Sequence, residues 1–309
     1  MFYIITPLHN EISEIDDLVR CMINSFLMPD CWVIVDDNSN DGSSKKLDEL
    51  AAQYSFIKIV HLNEPADYME FHISDVFRSG IDAIENTIEK DDVIGFLDAD
   101  IRFGKNYWYK LKKTLDADEK LGIISGALCS KKDNGKIYIE PFQRIDNPRG
   151  GLRLVKGACF LEIGGVKRSR SWDSIMNVQA RINGWKVKID EKLFAYSTRP
   201  TDNKLGNKSG EMSRGRREWH LHQPLWQVSI RALAKALKGN ISSAYYYLFG
   251  YINEWNNRGE QFPDDNVRKY YRRERGKEWL TSIYCKIIGT QSPHRIITVR
   301  KVSEEEIFN

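Results

Sequence analysis

Residues 92–100 read DVIGFLDAD, a short apolar run that ends in two acids separated by one residue. The apolar residues predict a strand over 92–97, buried on both faces of a sheet. Two carboxylates directly after such a strand can present oxygen atoms to one Mg²⁺ or Mn²⁺ ion that also binds nucleotide phosphates. Asp98 and Asp100 are therefore candidate metal ligands, although DxD triplets also occur by chance in solvated turns.

Strands and helices alternate along the first hundred residues. Apolar runs predict three strands before the one at 92–97, over 2–6, 32–35 and 57–62. Helical spacing of apolar residues predicts the intervening helices, over 12–26, up to residue 50 and over 77–88. This alternation indicates an α/β fold with a doubly wound, mostly parallel sheet that helices cover on both faces.

Polar residues follow three of these strands at the point where each strand ends. They are PLHNE at 7–11, DDNSND at 36–41 and DAD at 98–100. Ligands of open α/β sheets bind beyond the carboxyl ends of the strands, so we expect these segments to form one site. Adjacent carboxylates such as Asp36 and Asp37 can accept hydrogen bonds from a base N–H or from ribose hydroxyls. Taken alone, such residues more often cap helices or turns.

The rest of the chain is mixed. Residues 122–161 look strand-rich, a helix is predicted over 172–184, and two more are predicted over 225–237 and 243–255. The polar, glycine-containing segment 199–217 is predicted to be a mobile loop. We predict a catalytic domain over 1–218, with a Rossmann-like nucleotide-binding half at about 1–100 and an acceptor half at about 101–218. A mainly helical, basic and aromatic extension follows over 219–309.

The net charge of +3 is unevenly distributed. Residues from 199 to the end hold 20 Lys or Arg against 12 Asp or Glu, and the remainder holds 26 against 31. The basic part could face anionic lipid or a lipid-diphosphate acceptor, which would make membrane contact peripheral. A solvated basic face without a partner is equally open. Nucleic-acid binding is not expected, because no recognised reading motif accompanies these residues.

The cysteine spacing and the hydropathy predict the cellular compartment of the protein. Five widely spaced cysteines, without a CxxC pair, favour reduced thiols in the cytoplasm and give no support to a zinc site. No stretch approaches the roughly 18 consecutive apolar residues that a membrane span requires. The first residues also lack the features of a signal peptide. We therefore expect a cytoplasmic protein, with any membrane contact at the inner face.

Several motifs occur in an order that resembles family 2 glycosyltransferases, which have the GT-A fold. PLHNE at 7–11 is similar to their PxxNE start, and VIVDDNSNDGS at 33–43 to their VVDDxSxDGT segment. FLDAD at 96–100 resembles their metal-binding DxD, and GACFLEIGGV at 157–166 the stretch that leads into the acceptor site. The helix from Trp172-Asp173 to Gly184-Trp185 and the segment 213–237 also resemble family features. Trp172 departs from the usual Glu, and His9 from the common Tyr.

The resemblance implies a metal-dependent, inverting glycosyltransferase that moves a sugar from a nucleotide-sugar donor to an acceptor hydroxyl, in glycan, polysaccharide or glycolipid assembly. Asp98 and Asp100 would hold Mn²⁺ or Mg²⁺ against the donor diphosphate. Asp173 would be the general base, with a helix N-cap as the alternative. A UDP-sugar is favoured, a GDP-sugar remains open, and the acceptor is a glycan or lipid-linked. The residues expected around the nucleotide sugar are Thr6, Pro7, His9, Glu11, Asp36, Asp37, Arg78, Asp98, Gly157 and Ala158.

The predicted loop at 199–217 would close over the donor and exclude water. Its Arg214, Arg216 and Arg217 are candidates to neutralise phosphate charge. His220 or His222 is a candidate to complete the metal shell, although a histidine beside aromatic residues is more often packed in a core.

Two other functions stay open at this point. A sugar-nucleotide-forming nucleotidyltransferase should carry a Gly-rich phosphate loop after its first strand, and residues 7–11 contain no glycine. A catalytically silent, glycosyltransferase-like binding protein would have no need of Asp98, Asp100 and Asp173 together.

Overall fold

The computed structural model describes residues 1–63, 71–84, 88–132, 135–199 and 206–308. The chain forms two compact units, one of Met1–Arg199 with Arg295–Asn309 and one of Pro200–His294. This division differs from the predicted boundary at 218/219. The helix that begins at Gly206 packs against helices of the second unit, and the strand Lys301–Val302 pairs with a strand of the first.

The first unit is a mixed α/β structure, as predicted. Its strands are β1 (Phe2–Leu8), β2 (Cys31–Asp37), β3 (Ile57–Leu62), β4 (Val93–Leu97), β5 (Ile101–Phe103), β6 (Leu121–Lys131), β7 (Ile137–Ile139), β8 (Leu152–Lys156), β9 (Lys186–Ser197) and β10 (Lys301–Val302). Its helices before residue 200 are α1 (Ile12–Ile23), α2 (Ser43–Gln53), α3 (His72–Asp82), α4 (Tyr107–Asp116), α5 (Gly157–Glu162) and α6 (Trp172–Ile182). Part of the helix predicted over 77–88 lies outside the described residues, since 85–87 are not among them.

Four strands form the parallel sheet that the sequence predicted, in the order β3-β2-β1-β4. Beyond β4 the sheet becomes mixed, because β8 runs antiparallel to both β4 and β6 while β9 runs parallel to β6. In the register of β4 and β8, Val93 is opposite Lys156 and Leu97 is opposite Leu152. The turn that precedes β8 therefore lies beside the acids that follow β4.

The alternation of side chains along the strands fills a core on each face of the sheet. On one face, Ile4 and Trp32 pack in a cluster with residues of α1, α2 and α4. On the other face, Ile5 and Phe96 pack in a cluster with residues of α3, α5 and α6. Trp172, at the start of α6, belongs to the second cluster, with its ring 5.2 Å from that of Phe96. This indole fixes the start of α6 against the sheet.

The second unit is helical. Its elements are α7 (Gly206–His220), α8 (Leu225–Leu237), α9 (Ile241–Asn256), α10 (Asp265–Lys269), a π-helical turn (Tyr270–Glu274) and α11 (Arg275–Ile287), and a last helix, α12 (Glu304–Phe308), belongs to the first unit. None of the helices in the described ranges is both long and apolar enough to cross a bilayer.

The prediction of a mobile loop over 199–217 is wrong for residues 206–217, which lie in α7. Residues 200–205 lie outside the described part of the chain. One of the glycines that suggested flexibility, Gly215, serves helix packing instead. A Cβ on Gly215 would overlap the peptide oxygen of Tyr247, and a Cβ on Gly250 would overlap that of Met212. Glycine at both positions therefore lets the backbones of α7 and α9 approach closely.

Candidate active site

The two acids of the DxD triplet lie in the turn after β4, and each is partly exposed. The Asp98 N–H donates to the peptide oxygen of Gly151 at 2.9 Å. A Cβ on Gly151 would overlap the carboxylate of Asp98, so only glycine fits here while that carboxylate keeps its place. Asp100 Oδ2 accepts a hydrogen bond from the Ser197 hydroxyl at 2.9 Å. Both carboxylates thus belong to the edge where β1, β2 and β4 end.

Asp173 lies in the first turn of α6, whose N-cap is Ser171. The alternative that Asp173 is itself the N-cap is therefore wrong. Its Oδ1 accepts from the Ser174 N–H at 2.7 Å, and its side chain is 28% exposed. A Cβ on Gly150 would lie 3.4 Å from the Asp173 Cβ. The consecutive glycines 150 and 151 thus contact the candidate base and the first acid of the triplet, which places these two acids at one turn.

A buried cation, Arg153, lies next to both acids and was not predicted from the sequence. Its side chain is fully buried, and its Nη2 is 3.9 Å from Asp173 Oδ2. Burial lowers the pKa of Arg153 to about 10, while the charges of Asp173 and Asp98 act to raise it. A guanidinium with that pKa stays protonated at neutral pH. The sequence feature that could have indicated this buried cation is a single charged residue at the centre of the apolar segment GLRLV, residues 151–155.

The other contacts of Arg153 hold the turn before β8 to helix α6. Its Nε donates to the peptide oxygen of Arg149 at 2.8 Å, and its Nη2 donates to that of Pro148. Its Nη1 donates to Asn177 Oδ1 at 3.1 Å, and its guanidinium lies over the Trp172 ring, 5.4 Å from the centroid. Arg153 therefore positions the backbone on which the two glycines lie.

The loops after β1 and β2 are joined by hydrogen bonds. His9 Nδ1 lies 2.6 Å from the peptide oxygen of Asp37. The Asn10 N–H donates to Ser39 Oγ at 2.9 Å, and the Glu11 N–H donates to Ser43 Oγ at 3.1 Å. These contacts bring together the two loops predicted to surround the nucleoside.

The neighbouring acids Asp36 and Asp37 have different environments. Asp36 is buried and accepts hydrogen bonds from the Ser39 N–H, the Ser44 hydroxyl and His61. Burial acts to raise the pKa of Asp36, but these hydrogen bonds outweigh burial and hold the pKa below its ordinary value. Asp36 therefore organises its own loop.

Asp37 is also buried, and its Oδ2 lies 2.6 Å from His72 Nε2. Its Oδ1 has no hydrogen-bond partner in the described ranges. A buried oxygen without a partner costs free energy, and a base N–H could remove that cost. Asp37 is thus the better placed of the two acids for contacting a nucleoside.

Other predicted residues lie away from this edge. Thr6 is fully buried, and its hydroxyl accepts from the Trp32 indole N–H at 2.9 Å. Pro7 is half-buried within β1, opposite Val35 of β2. Arg78 is exposed on α3, 3.4 Å from Asp75, and lines a surface cavity of about 450 Å³ in which none of the candidate catalytic acids takes part.

Gly157 and Ala158 lie at the opposite end of β4 from the DxD triplet. Their N–H groups donate to the peptide oxygens of Asp92 and Lys90, at 2.7 and 2.9 Å. These partners precede β4, whereas Asp98 follows it, because β8 runs antiparallel to β4. The structure therefore does not bring Gly157 and Ala158 to the edge that holds the acids. Gly150 and Gly151 lie at that edge instead, because they precede β8, whereas Gly157 and Ala158 follow it.

A second unpredicted cation, Arg199, lies beside the triplet. Its Nη2 forms an ion pair with Glu11, and its Nε is 3.8 Å from Asp100 Oδ2. Burial acts to lower the pKa of Arg199, but the hydrogen bond and charge of Glu11, with the charges of Asp100 and Glu14, hold the pKa above its ordinary value. Arg199 thus connects a residue predicted to contact the nucleoside with a candidate metal ligand.

The donor set at this edge fits a hard divalent cation. Mg²⁺ and Mn²⁺ take oxygen ligands, and Mg²⁺ is usually bound by one or two carboxylates together with substrate phosphates and water. Asp98 and Asp100 supply two partly exposed carboxylates in one turn. These are the residues that would hold the ion.

The comparison with protein families adds a decisive observation. Residues 3–69 match the model described as "Glycosyl transferase family 2". This segment of the chain therefore resembles family 2 glycosyltransferases. The matched segment contains β1 to β3 and the loops that carry Glu11, Asp36 and Asp37. The acids Asp98, Asp100 and Asp173 lie beyond it. A comparison of the whole chain with curated proteins finds no significant match.

Solved structures of glycosyltransferases share the fold. The mannosyltransferase PcManGT from Pyrobaculum calidifontis, in complex with GDP-Man and Mn²⁺, is 14% identical, with a TM-score of 0.52 over 94% of this chain and 84% of that one. TarS 1-349 from S. aureus is 11% identical, with a TM-score of 0.51 over 92% and 76%. GalNAc-T7 with UDP, GalNAc and Mn²⁺ is 14% identical, with a TM-score of 0.58 over 92% and 58%. These similarities show that the chain has the GT-A fold.

The remaining predicted residues lie in the helical unit. Arg214 pairs with Glu211 at 2.8 Å, Arg216 lies 3.8 Å from Glu254, and Arg217 is exposed in the last turn of α7. Their predicted contact with phosphate stays a prediction.

The two candidate histidines are packed in the same unit. His220 and His222 are buried, with ring nitrogens 3.1 and 2.7 Å from the peptide oxygens of Glu260 and Phe262. Burial lowers the pKa of His222, which favours its neutral form. This arrangement is the packed alternative that the sequence left open. A metal contact by either histidine stays a prediction.

His61 gives a pH prediction for the stability of the protein. Burial acts to lower the pKa of His61, but hydrogen bonds with Asp48 and Asp36 hold it above its ordinary value of 6.5. A raised pKa stabilises the fold fully below the unfolded value, and this stabilisation is lost as pH rises through the folded value. In urea unfolding, we expect the stability advantage of the native protein over a His61→Gln variant to shrink as the pH rises above 6.5. A constant advantage would contradict this.

Proposed function

We propose that this glycosyltransferase moves a sugar from a nucleotide-sugar donor to an acceptor hydroxyl, in a metal-dependent reaction that inverts the anomeric configuration. The supporting observation is the pair Gly150-Gly151, which contacts Asp173 on one side and Asp98 on the other. Consecutive Cα atoms are about 3.8 Å apart. A donor diphosphate beside Asp98 would therefore place its sugar near Asp173, as a direct displacement requires.

The donor would lie across the loops after β1, β2 and β4. The Asp37 oxygen that has no partner among the described residues suits an N–H of the base, and His9 and Glu11 lie in the adjoining loop. Pro7 lies in β1, the strand that precedes this loop. Structures of similar fold contain UDP-GlcNAc in one case and GDP-Man in another. We favour a UDP-sugar and keep a GDP-sugar as the alternative.

Asp98 and Asp100 would hold a Mn²⁺ or Mg²⁺ ion. When bound there, such an ion offsets the negative charge that develops on the leaving nucleoside diphosphate. Asp100 is held in place by Ser197, and Asp98 by the Gly151 backbone. Arg199 supplies a further positive charge beside Asp100.

Asp173 would act as the general base. Its carboxylate takes the proton of the acceptor hydroxyl while that oxygen forms a bond to the anomeric carbon. The bond from the anomeric carbon to the diphosphate oxygen breaks on the opposite side, which inverts the configuration. Arg153 donates hydrogen bonds to the peptide oxygen of Asp173 and to that of Arg149, in the turn before β8. It therefore holds both segments of the main chain in place.

The acceptor is proposed to be a glycan or a lipid-linked molecule, in glycan, polysaccharide or glycolipid assembly. No disulfide joins the five cysteines, which all lie within the described residues, and burial raises the pKa of Cys129 and Cys159 to about 12. Such buried thiols are inert, which suits a compartment that keeps thiols reduced. We propose a cytoplasmic enzyme with peripheral membrane contact.

Replacing Asp100 tests the metal site. In Asp100→Ala we expect the Mn²⁺-dependent part of donor binding to fall at least about tenfold, because one of two carboxylate ligands is lost. Isothermal titration of nucleotide sugars, with Mn²⁺ or with EDTA, measures this. Asp116→Ala removes an acid that pairs with Lys112 on α4 and serves as the matched control. Equal donor binding by Asp100→Ala and the native enzyme would contradict the metal assignment. Absence of turnover with every nucleotide sugar would contradict the proposed transfer itself.

A further inference from the structure

Helix α11 exposes its apolar side. Of its residues, all of which are described, Gly276 alone is buried. Its large apolar side chains are between 39% and 77% exposed, and they are Trp279, Leu280, Ile283, Tyr284 and Ile287. Globular proteins normally bury such residues, because each costs free energy in water. This helix therefore presents a surface that suits an apolar partner.

The polar side of α11 makes hydrogen bonds within the helical unit. Glu278 accepts a hydrogen bond from the Tyr270 hydroxyl at 2.8 Å and lies 3.4 Å from Arg275. The Ser282 and Ser292 hydroxyls are 3.0 Å apart. An amphipathic helix on a globular core normally has the reverse orientation, with its apolar stripe inward. The hydrogen bonds of Glu278 and Ser282 thus fix the apolar stripe outward.

Positive charge borders this apolar stripe. At about 100° per residue, the five apolar side chains span an arc of about 140°. Lys277 and Lys286 fall just outside the two ends of that arc, and both are exposed. Lysine stems can lie along apolar surface while their charged ends reach outward.

The apolar surface continues onto α8. A Cβ on Gly276 of α11 would lie 3.7 Å from the Trp226 ring, so α11 begins in contact with α8. Trp226 is the first of four exposed side chains at helical spacing on α8, with Ile230, Leu233 and Leu237. Residues 200–294 carry 16 Lys or Arg against 9 Asp or Glu, a net charge of +7. The exposed apolar surface thus lies on a strongly cationic unit.

We propose that the outward faces of α11 and α8 form a docking surface for an anionic lipid bilayer. Tryptophan and tyrosine are enriched where a bilayer meets water, and basic residues beside an apolar helix face are attracted to anionic lipid. A second copy of the chain fits less well, because two units of charge +7 repel each other. The inference rests on the proposed peripheral contact and gives it a surface, independently of the transfer reaction.

Vesicle binding by the full chain tests this. We expect it to co-sediment with vesicles of phosphatidylcholine and phosphatidylglycerol at least about tenfold more strongly than with phosphatidylcholine alone, and salt should weaken this binding. Trp279→Glu with Ile283→Glu should reduce it to the level of neutral vesicles. Phe26→Glu with Tyr109→Glu, which changes comparably exposed side chains of the first unit, should leave it unchanged.

Other outcomes overturn the proposal. Equal binding by the α11 double variant and the native chain would show that α11 is not the docking surface. Binding to neutral vesicles as strong as to anionic ones would overturn the assignment to anionic lipid. A dimer in light scattering that the α11 variant abolishes, without vesicle binding, would assign the surface to a second copy. Transfer to a water-soluble acceptor should be the same in both double variants, so a failure of docking is distinguishable from a failure of catalysis.

Discussion

Asp173→Asn is expected to lower kcat by about 10²- to 10⁴-fold, the usual contribution of a general base. The amide keeps the size of the side chain but cannot take the proton of the acceptor hydroxyl. Donor binding should change little, because the turn at Gly150-Gly151 separates Asp173 from the DxD triplet, which is proposed to bind the donor. Steady-state transfer rates, with donor binding measured by titration in Mn²⁺, separate the two effects.

Asp118→Asn is the matched control for Asp173→Asn. Asp118 is a surface acid 2.7 Å from Lys186, and the same change of atoms there should leave kcat unaltered. Thermal unfolding of both variants shows whether the loss of a carboxylate beside the buried Arg153 also lowers stability. If Asp173→Asn retained kcat within a few-fold of the native value, another group must take the proton.

Gly151→Ala is expected to lower kcat/KM by about 10²-fold without unfolding the protein. The new methyl group would overlap the Asp98 carboxylate, and that side chain can move aside at small cost to the fold. A displacement of about 1 Å in a catalytic group can cost about 10²-fold in rate. Transfer assays and the melting temperature, measured on the same preparation, test both parts.

A double-mutant cycle shows whether Gly151→Ala acts through Asp98. The substitution should lose most of its effect in an Asp98→Ala background, because there is then no carboxylate to displace. An equal loss of kcat/KM in both backgrounds would mean that the methyl group disturbs something else, and the proposed coupling would be wrong.

Much of the first unit could be predicted because the signals are local. The apolar runs of β1, β2 and β4 and the polar segments after them indicated a parallel sheet with one functional edge. That edge holds Glu11, Asp37, Asp98 and Asp100. A strand and the residue that ends it are neighbours in sequence, so the inference needed no knowledge of distant contacts.

The parts that the sequence did not predict depend on distant contacts. Arg153 is defined by partners in α6 and in the turn before β8, and Arg199 by Glu11, 188 residues away. The antiparallel register of β4 and β8 places Gly150-Gly151, and not Gly157, at the edge that holds the acids. The sequence alone does not show this register. In α7, Gly215 suggests a loop in the sequence, and only the backbone of α9 opposite it explains this glycine.

The environment of Arg153 also has a consequence for local opening of the fold. Fraying of the turn before β8 would break hydrogen bonds to a guanidinium and leave that charge without acceptors inside the core. Because Arg153 hydrogen-bonds to both the turn and α6, opening of one should loosen the other, so turn and helix should exchange their amide hydrogens as one cooperative unit. The distance between Asp98, on the proposed donor side, and Asp173, on the proposed acceptor side, would then be maintained for as long as the sheet is folded.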